Sequence, residues 1–309
     1  MSNRYCVLGA NGNLGSMLCR YLLDQGEEVV AVTHYNTGNL DEIKDQIEVR
    51  KADIRFPDEV DAAIKDCDGV YNLAAQVHVD VSRNYPRLFY ETNVGGTFNV
   101  LEAARRNNVR LIHMSSCEVL GHIEEGRADE SYPYRYPRSP YAASKLAAEE
   151  YVYSYSQTYG LDCNTARGFN LLGPRQRPGE KGAVIPKFAE MMLHGVAPTI
   201  YGDGMQIRDY LDVRDLCRGL YMLMKCRDYV GEVFHFCSGV GYTLNQIVAL
   251  LRDAVGEDAP VPVYGEPRPG ELRRSVGCYG KAERLLGWRP RIPLPVSVRD
   301  IVEAQRLRV

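Results

Sequence analysis

Tyr141 and Lys145 stand four positions apart in the sequence. On a helix this spacing puts both side chains on one face, about one turn apart. We expect the positive charge of the lysine to lower the pKa of the phenol from about 10 towards neutrality. The pair therefore predicts that Tyr141 is a usable base.

A second group of reactive side chains, Ser115-Ser116-Cys117-Glu118, follows a strand predicted over residues 110 to 114. Open parallel sheets place their ligand crevice at the carboxyl ends of the strands. The four residues are therefore expected at the edge of the sheet where an active site forms.

A glycine-rich turn lies between the first predicted strand, residues 4 to 8, and a helix pattern that carries Leu14, Leu18 and Leu22. Strand, glycine-rich turn and helix form the context of a dinucleotide-binding fingerprint, in which backbone N–H groups reach a pyrophosphate at the helix N-terminus. The residues expected to contact the cofactor in this turn are Gly9, Asn11, Gly12, Asn13, Leu14 and Gly15.

The adenosine end of the cofactor site is less well defined. The second strand ends in Thr33-His34-Tyr35-Asn36, which offers neither the acid that grips a ribose nor the arginine that pairs with a 2′-phosphate. NAD is favoured, and NADP stays open. Asp53 is placed either to bind the adenine amino group or to cap the helix near Pro57. The other predicted cofactor contacts are Ile54, Leu73, Ala74, Ala75, Tyr141 and Lys145.

The composition is that of an ordinary globular protein, with 309 residues, 45% hydrophobic content and a net charge of −3. The sequence has no long runs of like charge, so neither nucleic acid nor a membrane surface is an expected partner.

The nine cysteines lack a CxxC pair and are interpreted as buried thiols of a reducing compartment. The histidines show no metal-ligand spacing, so no metal is expected. With no long apolar run and a first strand beginning by Tyr5, a cytoplasmic protein is predicted.

Strands alternate regularly with helices as far as residue 168, which predicts an α/β fold with a right-handed, doubly wound parallel sheet of the Rossmann type. Residues 1–168 are predicted to form the dinucleotide-binding domain, to which residues 210–240 return, and residues 169–309 a smaller substrate-binding domain. One helix is predicted from about Pro86 to Asn107, with Gly95 and Gly96 in its middle. Because each glycine costs about 1 kcal/mol of helix propensity, we expect another part of the chain to pack closely against the helix at these glycines.

Several motifs, taken together, resemble those of the extended short-chain dehydrogenase/reductases that act on nucleotide sugars. This resemblance implies a tightly held nicotinamide cofactor that takes a hydride from sugar C4 and returns it. It also implies that Tyr141 is the base on the 4-hydroxyl, that Ser116 shares the hydrogen bond, and that Lys145 holds the ribose. The motifs are Gly9-x-x-Gly12-x-x-Gly15, Ser116 before Cys117-Glu118, Tyr141-x-x-x-Lys145, Phe169-Asn170 before Gly173-Pro174, Gly202-Asp203-Gly204 with Arg208-Asp209, and Leu286-Gly287-Trp288.

The same resemblance implies a nucleotide-sugar substrate, predicted to be UDP-linked, with Arg208 bound to its diphosphate. The alternative for Arg208 is a salt bridge with Asp209 or Asp212. A homodimer is expected, with the helices that begin near Pro86 and Pro140 paired across a two-fold axis, although their apolar positions could equally be internal core. The predicted substrate contacts are Gln76, Ser82, Asn170, Val184, Arg208 and Arg268.

Cys117 and Glu118 decide which branch of the family the chain resembles. Epimerases of this family generally have small or neutral residues after the catalytic serine, whereas dehydratases carry Thr-Asp-Glu. Glu118 then corresponds to the base that removes the C5 proton, and Cys117 to the acid that protonates the departing C6 hydroxyl. A thiol with a pKa of about 8.5 is already in the donor form at neutral pH, whereas an aspartic acid would need its pKa raised by about 3 units.

The predicted reaction is therefore 4,6- or 5,6-dehydration of a nucleotide-linked hexose. Ser-Cys-Glu is also similar to the 5,6-dehydratase of tunicamycin-type pathways, which acts on UDP-N-acetylglucosamine, and to UDP-apiose/xylose synthases, which decarboxylate a uronic acid. A 4-epimerase and a non-catalytic NAD-binding sensor or scaffold are the alternatives. Cys117 is alternatively a spectator that fills a small space, and Leu120 departs from the family's usual tyrosine before Gly121.

Overall fold

The computed structural model describes residues 2–134, 136–176, 183–267 and 272–307. The predicted substrate contact Arg268 lies outside these ranges. The strands are β1 (Arg4–Leu8), β2 (Glu28–Thr33), β3 (Glu48–Lys51), β4 (Gly69–Asn72), β5 (Arg110–Ser116), β6 (Cys163–Gly168), β7 (Leu171–Leu172), β8 (Thr199–Tyr201), β9 (Ile207–Asp209), β10 (Leu211–Asp212), β11 (Val233–Phe236), β12 (Gly241–Thr243), β13 (Val263–Gly265) and β14 (Arg274–Ser275).

The helices alternate with these strands, and 3₁₀ turns cover Gly38–Gln46 and Cys117–Leu120. The helices are α1 (Asn13–Asp24), α2 (Pro57–Ile64), α3 (Val79–Asn84), α4 (Pro86–Phe89), α5 (Gly96–Asn107), α6 (Pro140–Tyr159), α7 (Val184–Leu193), α8 (Val213–Lys225), α9 (Leu244–Val255), α10 (Gly280–Leu286) and α11 (Leu294–Arg306).

The main sheet has seven parallel strands in the order β3-β2-β1-β4-β5-β6-β11. Helices cover both faces, so the central strands β1, β4 and β5 are buried along nearly their whole length. One face packs on α1 and α8 through Leu18, Leu22 and Leu220. The other packs on α2, α5 and α6 through residues such as Val100 and Val152. The predicted Rossmann fold is confirmed, and the strand order reverses beside β1, where such sheets bind their ligands.

The C-terminal part of the chain forms a second apolar cluster from α7, α9 and α11, which includes Ile185, Ile247 and Ile301. Beside it lie the short three-stranded sheet β12-β9-β14 and the pair β13-β8. β11 returns from this region to the edge of the main sheet, next to β6. The division of the chain into two domains at residue 168 stays a prediction.

The nine cysteines are all free thiols, and seven of them are buried. Within the described ranges, no helix is long and apolar enough to cross a membrane. In the same part of the chain, no group of three or more histidine, cysteine or acidic side chains is arranged to hold a metal ion.

The helix predicted from Pro86 to Asn107 is confirmed as one continuous helical run, although its middle is not α-helical. Residues 90–95 form a π-helical segment between α4 and α5. The close contact expected at the glycines is found at Gly96 alone, where an added Cβ would lie 2.5 Å from Cδ1 of Ile54. At Gly95 the nearest atom to such a Cβ is the Tyr90 carbonyl oxygen at 3.9 Å. The lack of a side chain at Gly96 therefore lets α5 approach the loop after β3. Gly95 makes no such close contact.

The two glycines make a matched pair of test sites because both have helical backbone angles. We expect Gly96→Ala to lower the free energy of unfolding by about 1–3 kcal/mol, since the new methyl group overlaps Ile54. Gly95→Ala should leave it unchanged or raise it by up to about 1 kcal/mol, because alanine is the better helix former. Urea denaturation of the two variants measures both values. Equal destabilisation of both would contradict the packing role of Gly96.

Candidate active site

The glycine-rich turn closes tightly against the end of β4. Gly9 has φ +81°, and a Cβ there would lie 2.9 Å from the backbone nitrogen of Ala74. A Cβ on Gly15 would lie 2.3 Å from the carbonyl oxygen of Gly9. Both positions therefore need glycine. The close approach of the turn places the half-buried Leu73, Ala74 and Ala75 beside the N-terminus of α1.

The first turn of α1 is left open to a ligand. Gly12 is the N-cap residue, and no side chain caps the helix, so the N–H groups at the start of α1 keep their anion-binding capacity. The side-chain oxygen of Asn13 is buried, and no partner for it is found among the described residues. It lies against Gly173, where an added Cβ would approach it to 2.7 Å. These features fit the pyrophosphate of a dinucleotide.

Asn11 fixes the neighbouring loop, since its side-chain oxygen accepts a hydrogen bond from the backbone N–H of Asn39 at 2.8 Å.

Asp53 accepts a hydrogen bond from Arg55 Nε at 2.9 Å and lies 3.0 Å from His34 Nε2. Burial works to raise the pKa of Asp53, but the hydrogen bonds from Arg55 hold it below its usual value. The alternative capping role of Asp53 is wrong, because α2 has no side-chain cap. Its contact with adenine stays a prediction.

Tyr141 and Lys145 lie in the first turns of α6, which begins at Pro140 after the N-cap residue Ser139. Both side chains are buried. The Lys145 ammonium donates to the carbonyl oxygen of Met114 on β5 at 2.6 Å. Burial lowers the pKa of Lys145 to about 8, with Glu149 opposing the shift. The helix therefore delivers the pair to the carboxyl end of β5.

The pKa of Tyr141 shifts in the direction opposite to the one expected from Lys145. Burial raises it, the charge of Glu118 adds to the rise, and a hydrogen bond with Ser116 opposes it. The expectation that Lys145 brings the phenol towards neutrality is therefore wrong for the protein alone. Removal of the phenol from water outweighs the other influences.

Ser116 begins the 3₁₀ turn that carries Cys117 and Glu118. Its hydroxyl accepts a hydrogen bond from the backbone N–H of Glu118 at 3.3 Å while it also bonds to Tyr141. One hydroxyl thus links the tyrosine of α6 to the turn after β5. Ser115 is buried, and its hydroxyl finds no partner within the described ranges.

Burial favours the protonated, neutral form of both Cys117 and Glu118. Burial raises the pKa of the Cys117 thiol to about 12, and the charge of Glu118 adds to the effect. Burial also raises the pKa of Glu118, while Arg208 lowers it. The expectation that the thiol is protonated at neutral pH is confirmed. A carboxylate with a raised pKa is a stronger base than an exposed one.

Arg208 lies near both groups and is not used in a salt bridge. Its side chain donates to the carbonyl oxygen of Ile207 at 3.0 Å. Asp209 instead accepts bonds from Ser238, and Asp212 pairs with Arg214. The salt-bridge alternative for Arg208 is therefore wrong, since no acid within the described ranges pairs with it.

The remaining predicted substrate contacts lie on separate elements of the fold. The Asn170 side-chain amide donates to the backbone of Asp209 at 2.8 Å. Ser82, in α3, donates to the carbonyl oxygen of Val79 at 2.6 Å. Val184 is the first residue of α7. These hydroxyl and amide groups support the local backbone, and their contacts with a substrate stay predictions.

Asn93 is a residue that the sequence did not identify as part of the site. From the π-helical segment it accepts from the backbone N–H of Gln76 at 2.8 Å and donates to its carbonyl oxygen at 3.0 Å. It also donates to the hydroxyl of Ser144 at 2.9 Å. The segment after β4 is thereby tied to α6. An asparagine beside two glycines inside a helix pattern was the available signal.

The geometry agrees with comparisons to known proteins. Residues 5–236 match the model of the NAD dependent epimerase/dehydratase family. The chain belongs to this family. A dTDP-glucose 4,6-dehydratase of Streptomyces antibioticus is 38% identical over 92% of this chain and 87% of its own length. The predicted resemblance to extended short-chain dehydrogenase/reductases is confirmed.

Solved structures of family members cover nearly the whole chain. A dTDP-glucose 4,6-dehydratase from Streptomyces venezuelae, solved with NAD bound, is 32% identical with a TM-score of 0.92 and covers 98% of this chain and 97% of its own. A UDP-glucose 4-epimerase of Thermotoga maritima, solved with UDP-glucose, is 30% identical with a TM-score of 0.92 and covers 99% of both chains. As an enzyme of this family, the chain uses NAD, for which the open N-terminus of α1 is suited.

Proposed function

We propose that this family member is a nucleotide-sugar dehydratase acting on a UDP-linked hexose. The observation that carries the proposal is the pair formed by Glu118 and Cys117, a base with a raised pKa beside a protonated acid. An enzyme that only inverts C4 needs neither group. Elimination of water across C5 and C6 needs both.

Bound NAD supplies a hydride acceptor and donor for the sugar, and in its oxidised form a positive charge. Tyr141 is proposed to take the proton of the 4-hydroxyl, with Ser116 sharing the hydrogen bond. Because burial raises the pKa of Tyr141 in the protein alone, this role requires the phenolate, which the positive charges of Lys145 and of oxidised NAD, when bound, would favour. Lys145, anchored to Met114 on β5, is proposed to hold the ribose of the cofactor and to fix the position of Tyr141.

Glu118 is proposed to remove the C5 proton once C4 carries a ketone. Cys117 is proposed to give its proton to the C6 hydroxyl, which leaves as water. The two groups follow one another on the same 3₁₀ turn, so the turn presents base and acid together. Cys117 is buried and Glu118 is partly buried, which restricts bulk water and strengthens their interactions with the reacting atoms.

Arg208 is proposed to bind the diphosphate of the substrate. The support is that its guanidinium forms no salt bridge with an acid in the described part of the chain. The acids next to it in the sequence, Asp209 and Asp212, bind other groups. An arginine without an acidic partner beside a crevice is suited to anion recognition through charge-assisted hydrogen bonds. A sugar nucleotide held this way extends from Arg208 towards Tyr141.

The main alternative is a nucleotide-sugar 4-epimerase, favoured by the similarity to the Thermotoga maritima enzyme. A decarboxylating enzyme that acts on a UDP-uronate is a further alternative, for which Glu118 is also suited. The three reactions differ in what they remove from the sugar, so product analysis separates them.

Incubation with a panel of nucleotide sugars in D2O tests the dehydratase directly. We expect loss of one water and deuterium at C5 or C6, because Glu118 exchanges its proton with solvent. Glu118→Gln should lower the turnover number about 10²- to 10⁴-fold, whereas Glu125→Gln, in an exposed position, should not. Mass spectrometry and NMR measure the product, its deuterium content and the rate at which each variant forms it. A product inverted at C4 without exchange would rule out dehydration.

The pH profile tests the proton-acceptor role of Glu118. Since its pKa is raised, activity is expected to fall on the acid side at a pH above the usual glutamate value of about 4.3. Arg208 opposes this rise, so Arg208→Gln should move the acid limb to higher pH and raise KM for the substrate. Arg289→Gln, remote and largely exposed, is the control. An unmoved acid limb in Arg208→Gln would contradict the interaction.

We also propose a homodimer, formed by the helices that begin at Pro86 and Pro140. In support, Phe98 on α5 and Tyr151 on α6 contact each other at 5.9 Å between ring centroids and are 41% and 43% exposed. Sedimentation at micromolar concentration should give a dimer for the native protein and a monomer for Phe98→Asp. A native monomer would refute the proposal.

A further inference from the structure

Asp209 carries a fully buried carboxylate that has no role in the reaction proposed above. It is the last residue of β9 and follows Arg208 directly. Its side chain lies in the interior, with the residue 0% exposed. A buried carboxylate is costly unless hydrogen-bond donors surround it, so the groups that bind Asp209 show what it holds in place.

Four hydrogen bonds satisfy this carboxylate. Oδ1 accepts from the backbone N–H of Ser238 at 2.8 Å and from the Ser238 hydroxyl at 2.6 Å. Oδ2 accepts from the backbone N–H groups of Gly239 at 2.9 Å and Gly277 at 3.2 Å. Burial raises the pKa of Asp209, and these donors oppose the rise. The donors therefore support the charged form of the carboxyl group.

The donors come from two segments that are distant from β9 in the sequence. Ser238 and Gly239 lie in the loop between β12 and β11, which is the edge strand of the main sheet. Gly277 follows β14. Since β9 pairs with both β12 and β14, the carboxylate fastens this short sheet to the end of β11. The backbone carbonyl of Asp209 also accepts from the Asn170 amide just after β6, at 2.8 Å.

Arg208 lies on the opposite face of the same strand, because successive side chains of a strand point to opposite faces. Its guanidinium donates to the carbonyl oxygen of Ile207, also in β9, so the strand itself carries the charge. Tyr141 and Glu118 lie instead on α6 and on the turn after β5. A shift of β9 against the main sheet would therefore move the guanidinium relative to both groups.

We propose that Asp209 is a positioning residue for diphosphate recognition, because its carboxylate fixes β9 against the main sheet and thereby places Arg208 for the substrate. The inference rests on the proposed role of Arg208. It assigns to Asp209 no contact with the substrate, so the effect of Asp209 is exerted through the guanidinium.

An asparagine in place of Asp209 has the same shape but only one acceptor oxygen. In either orientation of the amide, two of the four donors face an NH₂ group instead of an oxygen. The loop with Ser238 and the residue Gly277 can then no longer be held together by this side chain. Asp209→Asn should therefore release β9 from the main sheet.

Binding of UDP and dTDP, compared with binding of their nucleosides uridine and thymidine, tests the inference without turnover. Asp209→Asn should raise the Kd of the diphosphates about ten-fold, as expected for the loss of hydrogen bonds to a charged group. The Kd of the nucleosides should stay unchanged, because they lack the diphosphate that Arg208 binds. With the sugar nucleotide, KM should rise with little change in kcat. Isothermal titration calorimetry measures the four affinities.

Two further variants separate positioning from a general defect of the fold. Ser238→Ala removes a single donor and should raise the Kd of the diphosphates about two- to five-fold, so it tests the inference even if Asp209→Asn does not fold. Asp215→Asn alters another buried carboxylate, which accepts from the backbone N–H groups of Arg291 at 2.7 Å and Ile292 at 2.8 Å. It should lower the free energy of unfolding and leave the diphosphate affinity unchanged.

The double variant Arg208→Gln with Asp209→Asn tests the route of the effect. It should bind the diphosphates as weakly as Arg208→Gln alone, to within about two-fold, because the position of an absent guanidinium no longer matters. Native diphosphate affinity in Ser238→Ala or in folded Asp209→Asn overturns the role of Asp209, as does an equal loss of nucleoside affinity. The expected loss of diphosphate affinity without a dehydrated product refutes the proposed dehydration alone.

Discussion

Removal of ionisable side chains from water at the carboxyl end of β5 is the constraint on which the site depends. Burial raises the pKa of Tyr141, Cys117 and Glu118 and lowers that of Lys145. In each case it favours the neutral form, as expected when a charge loses its hydration. The shifts have one origin because all four groups lie on two adjoining elements, the turn after β5 and the first turns of α6.

The sheet explains why these groups meet. Parallel strands end at one edge, and the reversal of strand order beside β1 opens a crevice there. Glycines at positions 9 and 15 let the first turn close against Ala74, while the Asn93 amide ties the segment after β4 to α6. The cofactor side of the crevice is therefore fixed by backbone contacts. The substrate side depends on the short strand that carries Arg208.

The sequence predicted the strands, the parallel sheet and the position of the Tyr141–Lys145 pair because these follow from local pattern and spacing. It did not predict the direction of the Tyr141 pKa shift, since burial is a property of the assembled fold. Gly96 was recognised as a site of close packing, but the partner Ile54 and the π-helical segment next to it depend on how α5 meets the loop after β3.

The burial of the Cys117 thiol has a consequence for the durability of the enzyme. Peroxides oxidise the thiolate form of cysteine to sulfenic acid and then to irreversible products. A thiol with a pKa of about 12 and 4% exposure presents almost no thiolate to an oxidant in solvent. An aspartic acid in its place would be immune to such damage but would need its pKa raised to keep a proton. Burial thus lowers the reactivity of an oxidisable acid towards oxidants in solvent.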